Sequence, residues 1–131
     1  MINSNAFDYI NVLDKAADAS WTRNEVLANN IANVNTPGYK RQDLNFEEEL
    51  ERALGHSKYM TMDQKVADIK DKHLKPRVIN DYSNFSYRTD KNNVDIDTEN
   101  AYLAENQIRY NTLISQIGQE FSRYKTVLSS N

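Results

Sequence analysis

The stretch FDYINVLDKAADASWTRNEVLANNIANVNTPGY, residues 7–39, decides the fold. Ile10, Leu13, Ala17, Ser20, Asn24, Leu27, Ile31 and Val34 follow one another at alternating steps of three and four. That spacing is a heptad seam and predicts one long amphipathic helix. Phe7, Trp21 and Ala28 widen the stripe. The helix is expected to stop near Val34, because Thr36 precedes Pro37 and is pushed out of the α region. Asn35-Thr36-Pro37-Gly38-Tyr39 then reads as a turn. Pro37 presets φ at the second position, and Gly38 supplies the positive φ that a type II turn needs at the third. The chain leaves the helix by one defined route, with Tyr39 aimed at a fixed place.

The other end repeats the design. Leu103, Gln107, Tyr110, Ile114, Ile117, Phe121, Tyr124 and Leu128 again alternate in steps of three and four, which predicts a second long helix over 98–131. Asp97 is the expected N-cap, with Glu99 in the first turn and Arg123 and Lys125 near the far end, each charge suiting the helix dipole. Gly118 sits in the helix interior at a cost of about 1 kcal/mol relative to Ala, which a close approach by another helix would explain.

Residues 36–97 form the turn and an irregular outer segment, poorer in apolar residues than either end. Asn45 with Glu48 has capping-box spacing, Leu50 and Leu54 share a helix face, and Gly55 can end that helix. Residues 56–77 show no clear period. Val78-Ile79, Phe85 with Tyr87, and Val94 with Ile96 read as short extended pieces. The fold class is therefore mainly α: long N- and C-terminal helices (1–35 and 98–131) paired as a coiled coil, in one structural unit. The irregular middle contains a short helix and short extended pieces.

Composition excludes much. The 131 residues carry a formal charge of -3, too acidic for a general nucleic-acid binder. No cysteine is present, so disulfides, thiolate nucleophiles and cysteine zinc sites are out. No apolar run is long enough to span a bilayer. Met1–Ala6 lacks the basic and apolar blocks of a cleaved signal peptide, and none is expected. His56 and His73 are too few and too far apart for a zinc site and read as loop histidines. A calcium loop counted from Asn93 fails, with Thr98 where Gly is required and Ala104 where a bidentate Glu is required. Glu47-Glu48-Glu49 is a solvated first turn rather than a glycosidase pair. No phosphate loop or nucleophile elbow occurs. Neither an enzyme, nor a cofactor or metal site, nor a small-molecule substrate is expected.

Asparagine is the outlier, with 17 copies. Asn24, Asn29, Asn30, Asn33 and Asn35 crowd the first helix and its end, although Asn is a poor helix former. Two readings stay open: a polar face toward water, or an amide ladder bonding another subunit. The apolar-poor middle cannot cover two helices this long, so the remaining apolar surface calls for other chains.

Leu27-Ala28-Asn29-Asn30-Ile31-Ala32-Asn33-Val34-Asn35-Thr36-Pro37-Gly38-Tyr39-Lys40 resembles the N-terminal signature of bacterial flagellar rod and hook proteins. Asp43-Leu44-Asn45-Phe46 through Leu50 is similar to the proximal rod subunit of the B type. So is Asn93-Val94-Asp95-Ile96-Asp97, followed by Glu99, Ala104, Asn106 and Tyr110. Asn92 stands where the C-type subunit has Pro. Asp90-Lys91-Asn92 departs from the pattern by lacking a Gly often seen there.

The resemblance implies a non-catalytic structural subunit that is exported through the flagellar type III channel without a cleaved signal. It would stack helically in the proximal rod of the basal body and carry torque. Implied partners are other copies of the chain, other rod subunits, the rod adapter protein, the membrane ring and the export gate. The seam residues Ile10, Leu13, Leu27, Ile31, Val34, Leu103, Tyr110, Ile114, Ile117, Phe121, Tyr124 and Leu128 are expected to pack within the chain. Asn29, Asn30, Asn33, Asn35, Thr36, Pro37, Gly38 and Tyr39 are expected to set contacts with neighbours. The alternative is a coiled-coil secretion chaperone or adaptor, which would explain the heptads but not the Asn-rich turn. A cell-wall hydrolase lacks a credible acid pair.

Overall fold

Ala and Leu recur between positions 12 and 28, with Lys15, Arg23 and Glu25 among them, and with the seam already noted these good helix formers favour a continuous helix there. In the computed structural model, which describes residues 5–55, 58–69, 74–82 and 88–130, helix α1 runs Asn5–Ala32. It ends two residues before Val34, in a turn rather than another helical step. β1 (Gln42–Leu44), α2 (Phe46–Leu54), α3 (Met62–Asp68) and β2 (Val78–Asn80) follow, and α4 (Ile96–Ser129) closes the chain. Two long terminal helices around an irregular middle are present, as the sequence predicts.

α1 and α4 form an antiparallel pair. Phe7 stacks on Tyr124 with ring centroids 4.6 Å apart, and Trp21 meets Tyr110 at 5.8 Å. Asn106 Nδ2 donates to the Ser20 carbonyl at 2.8 Å. Asn30 Nδ2 donates to Glu99 Oε2 at 3.1 Å near the turn end. The pairing thus spans the length of α1, about 42 Å at 1.5 Å per residue.

α1 buries a second face against the outer segment. Ala19, Leu44 and Phe46 form a core there, with Ala16, Leu50 and Leu74 packed on it. β1 and β2 pair antiparallel in the register Gln42↔Asn80, Asp43↔Ile79, Leu44↔Val78. Leu27 and Ile69 are wholly buried, each worth about 2 kcal/mol of apolar transfer.

Several local expectations are corrected. The cap of α4 is Asp95, not Asp97: its carboxylate accepts from the Asp97 and Thr98 amides. Extended φ/ψ at Asp95 lets the side chain fold over the first turn, so Ile96 begins the helix and is not part of a strand with Val94. Asn45 precedes α2 but makes no capping bond. Its Oδ1 accepts from Arg77 N at 2.8 Å while its own N–H donates to Arg77 O at 3.1 Å, prolonging the ladder by one rung. Residues 62–68 are helical, opened by a true capping box between Thr61 and Gln64. Gly118 has nothing within 4 Å of where a Cβ would sit, so no helix of this chain approaches it among the described residues. Gly55 does end α2, at φ 67. His56, His73, Phe85 and Tyr87 lie outside the described residues.

Candidate functional site

The turn after α1 has the geometry its residues dictate. Gly38 adopts φ 74, and Tyr39 N donates to Thr36 O at 3.2 Å. Tyr39 then folds back onto α1, its hydroxyl donating to Asn30 Oδ1 at 3.0 Å and accepting from Asn29 Nδ2 at 3.1 Å. Burial pushes the Tyr39 hydroxyl above its ordinary pKa, which keeps that donor proton in place.

Asn30 is fully buried and its amide is used within the chain. It donates to Gln42 O at 2.7 Å and accepts from Gln42 N at 2.9 Å, holding β1 against the helix. Asn33 bonds the Asn29 carbonyl at 2.8 Å and accepts from Thr36 Oγ1 at 3.1 Å. Asn29, Asn35, Thr36, Pro37 and Gly38 are exposed, and Tyr39 is half-buried.

The segment before α4 grips this turn. Asn92 is fully buried. Its amide donates to the carbonyls of Asn33 (2.9 Å), Val34 (3.1 Å) and Thr36 (2.8 Å), and its Oδ1 accepts from Val94 N at 2.8 Å. One side chain thus ties together three carbonyls of the turn that follows α1. Gly38 N donates to Asp90 O at 2.7 Å. Lys91 takes φ 61, and its carbonyl accepts from Lys40 Nζ.

Arg41 anchors the clasp at 2 % exposure. Its Nε donates to Glu99 Oε1 at 2.5 Å, its Nη1 to Asp81, and its Nη2 lies 3.4 Å from Asp43 Oδ2. Its own amide donates to Asn93 Oδ1 at 2.6 Å. The guanidinium also sits over the Tyr102 ring, 5.2 Å from its centroid. Burial opposes the Arg41 charge, but the bonds and charges of Glu99, Asp81 and Asp43 outweigh it and raise its pKa. A buried pair of this kind adds little net stability, yet losing one partner strands the other charge. The network continues through Arg23, which bonds Glu47 at 2.5 and 2.7 Å and the Leu44 carbonyl at 2.7 Å, to Arg109 on Glu47 at 2.6 Å.

The expected seam divides. On α1, Ile10, Ala17, Ser20 and Leu27 are buried and Leu13, Asn24 and Ile31 are half-buried, as is Val34 in the turn beyond it. On α4, Leu103, Tyr110, Ile117 and Tyr124 are half-buried, but Ile114, Phe121 and Leu128 are 47, 53 and 61 % exposed. The inner positions are 99, 103, 106, 110, 113, 117, 120 and 124, also a heptad series. Buried Glu99 and Asn106 replace apolar residues in it because each has a polar partner across the interface. Ile114, Phe121 and Leu128 therefore lie on an uncovered flank. At its free end Phe7, Phe121, Tyr124, Lys125, Leu128 and Ser129 line an open, largely apolar groove. Phe7 and Trp21 are more than half exposed despite their ring contacts, and Ala28 is exposed. Among the described residues no His, Cys, Asp and Glu group could hold a metal ion, and no helix is long and apolar enough to cross a membrane.

A hairpin of long helices with a clasped Asn-rich turn and a bare apolar flank is the build of an axial assembly subunit. Residues 10–40 match the family described as "Flagella basal body rod protein". The chain is 32 % identical to the flagellar basal body rod protein FlgB of Bacillus subtilis, over 89 % of this chain and 90 % of that one. It is 35 % identical to FlgB of Borreliella burgdorferi (85 % and 88 % covered) and 30 % identical to FlgB of Escherichia coli (82 % and 83 %). The chain belongs to the FlgB family of flagellar basal body rod proteins.

Proposed function

We propose that this chain is a non-catalytic structural subunit of the proximal rod of the bacterial flagellar basal body. It is exported through the flagellar type III channel and assembles helically with copies of itself and with other rod subunits, transmitting torque. The rod adapter protein, membrane ring and export gate are its neighbours at the cell-proximal end. The observation that carries this is the uncovered apolar flank of α4 in a chain of this family. Ile114, Phe121 and Leu128 cost free energy in water, and burying them between subunits recovers about 25 cal/mol per Å2. The exposed turn residues Asn29, Asn35, Thr36, Pro37 and Gly38 add polar contacts to neighbours. The clasp keeps that turn in one shape, which repeated identical contacts require.

Ile114→Asp tests the reading. Ile114 is 47 % exposed in the single chain, so the isolated protein should keep its stability within about 0.5 kcal/mol. Cells carrying the variant should export it yet fail to swim and yield no complete rods by electron microscopy. Normal swimming with assembled rods refutes the reading.

A further inference from the structure

Beside the α1–α4 contact lies a half-open cleft of about 290 Å3, lined by Arg23, Asp43, Glu47, Glu105, Asn106 and Arg109 among others. Its charges do not balance: three carboxylates face two guanidiniums. Glu47 is shared by Arg23 and Arg109, while Glu105 has Arg109 at 3.2 Å. Asp43 lies 3.3 Å from Arg23 Nε and 3.4 Å from Arg41 Nη2, but Arg41 also meets Glu99 and Asp81, so a surplus of carboxylates remains.

Asn106 supplies a second, independent sign. It is 3 % exposed, and its Nδ2 bond to the Ser20 carbonyl fixes which way the amide points. Its Oδ1 is buried with no hydrogen-bond partner among the described residues. A buried acceptor is costly unless a donor reaches it. An orphan acceptor on a side chain that lines a cleft with surplus negative charge suits a cationic donor, and an anion would meet three carboxylates. The volume is at the low end for ligand pockets and fits one long side chain.

We propose that this cleft receives one cationic side chain, an arginine or lysine, from a second copy of the chain. The donor would reach Asn106 Oδ1, and Glu105 would counter its charge. This rests on the rod reading, which places copies side by side. The chain presents suitable donors: the side chains of Arg52 and Arg123 are 68 and 73 % exposed, each paired one turn away on its own helix, with Glu49 and Glu120. Surface pairs of that kind are weak and readily exchanged.

The test titrates the purified full chain, labelled with 15N, with butylguanidinium chloride at fixed ionic strength, and with n-butanol as the neutral control. The Asn106 side-chain amide should shift saturably with the cation and not with butanol. Asn106→Leu and Glu105→Gln should each weaken binding at least about tenfold while unfolding stays cooperative. A shift that butanol or sodium chloride reproduces, or an affinity unchanged in both variants, overturns the proposal. In cells, Glu105→Arg fills the cleft from its own chain and should impair swimming. Normal swimming in that strain overturns the cleft proposal when Ile114→Asp abolishes swimming. If Ile114→Asp also swims, it is the rod reading that falls, and the titration decides the cleft chemistry by itself.

Discussion

Asn92→Ala should cost about 3 kcal/mol, although it removes one small side chain. Asn92 is fully buried, and its amide faces the carbonyls of Asn33, Val34 and Thr36 while its Oδ1 holds Val94 N. The amide has two N–H groups for three carbonyls, so two full bonds plus the one to Val94 are lost. At about 1 kcal/mol net for each bond, the loss is about 3 kcal/mol, with more where a carbonyl stays dry. That is a large share of the ~5–15 kcal/mol that holds a small domain folded. Urea unfolding followed by circular dichroism measures it as a lower midpoint at unchanged slope. Amide exchange should quicken first at residues 33–39, the segment Asn92 ties down. Asn92→Asp sharpens the test, being nearly the same size. At neutral pH its carboxylate would face three carbonyl oxygens, so it should be worse than Ala. Burial and those dipoles raise the folded pKa of such a carboxyl, so the variant should regain stability as pH falls and the acid becomes a donor. An Asn92→Ala midpoint within about 0.5 kcal/mol of the parent, or an Asn92→Asp protein indifferent to pH, refutes the account of the clasp.

Lys91→Gly should stabilise the isolated chain by up to about 1 kcal/mol, because Lys91 holds φ 61, a conformation that Gly adopts freely. An unchanged or lower thermal midpoint would mean that the Lys91 side chain more than offsets its strain. Glu47 is held below the ordinary carboxylate pKa by hydrogen bonds from Arg23, against a burial effect, with the charges of Arg23 and Arg109 helping. A lowered folded pKa gives stability that is present above the unfolded value, near 4.3, and lost as pH falls through the folded one. Glu47→Gln should therefore flatten the acid limb of a stability–pH profile and lower stability at neutral pH. An acid limb identical to the parent's would contradict the assignment.

How much of this was legible in sequence depended on how locally each feature is determined. The Thr36–Tyr39 turn was readable because Pro37 and Gly38 each fix a backbone angle without help. α1 was readable from its seam because the same positions that repeat in sequence are the ones covered in space. α3 was missed because a short helix carries little periodicity, with Val66 and Ile69 as its buried apolar anchors. Its signal, Thr61 three residues before Gln64, was present. The Arg41–Glu99 pair joins residues far apart in sequence, and no local pattern marks one of many charges as buried. The role of Asn92 was hidden likewise, because its three acceptors lie at the far end of another element.

The division of the α4 seam carries the most consequence. Two heptad series run down that helix and share Leu103, Tyr110, Ile117 and Tyr124. One adds Gln107, Ile114, Phe121 and Leu128, and the other adds Glu99, Asn106, Leu113 and Glu120. Hydrophobicity favours the first series for the interior, and the fold uses the second. A chain evolved only to be stable alone would have little reason to put Ile114 and Phe121 outside while burying Glu99 and Asn106. The choice is coherent if the polar series pins α4 in one register against α1, through Asn30, Arg41 and Ser20, while the apolar series is kept for a neighbour. Directional bonds then set the fold of the subunit, and the larger apolar area is spent on assembly, where the two demands do not compete for the same residues.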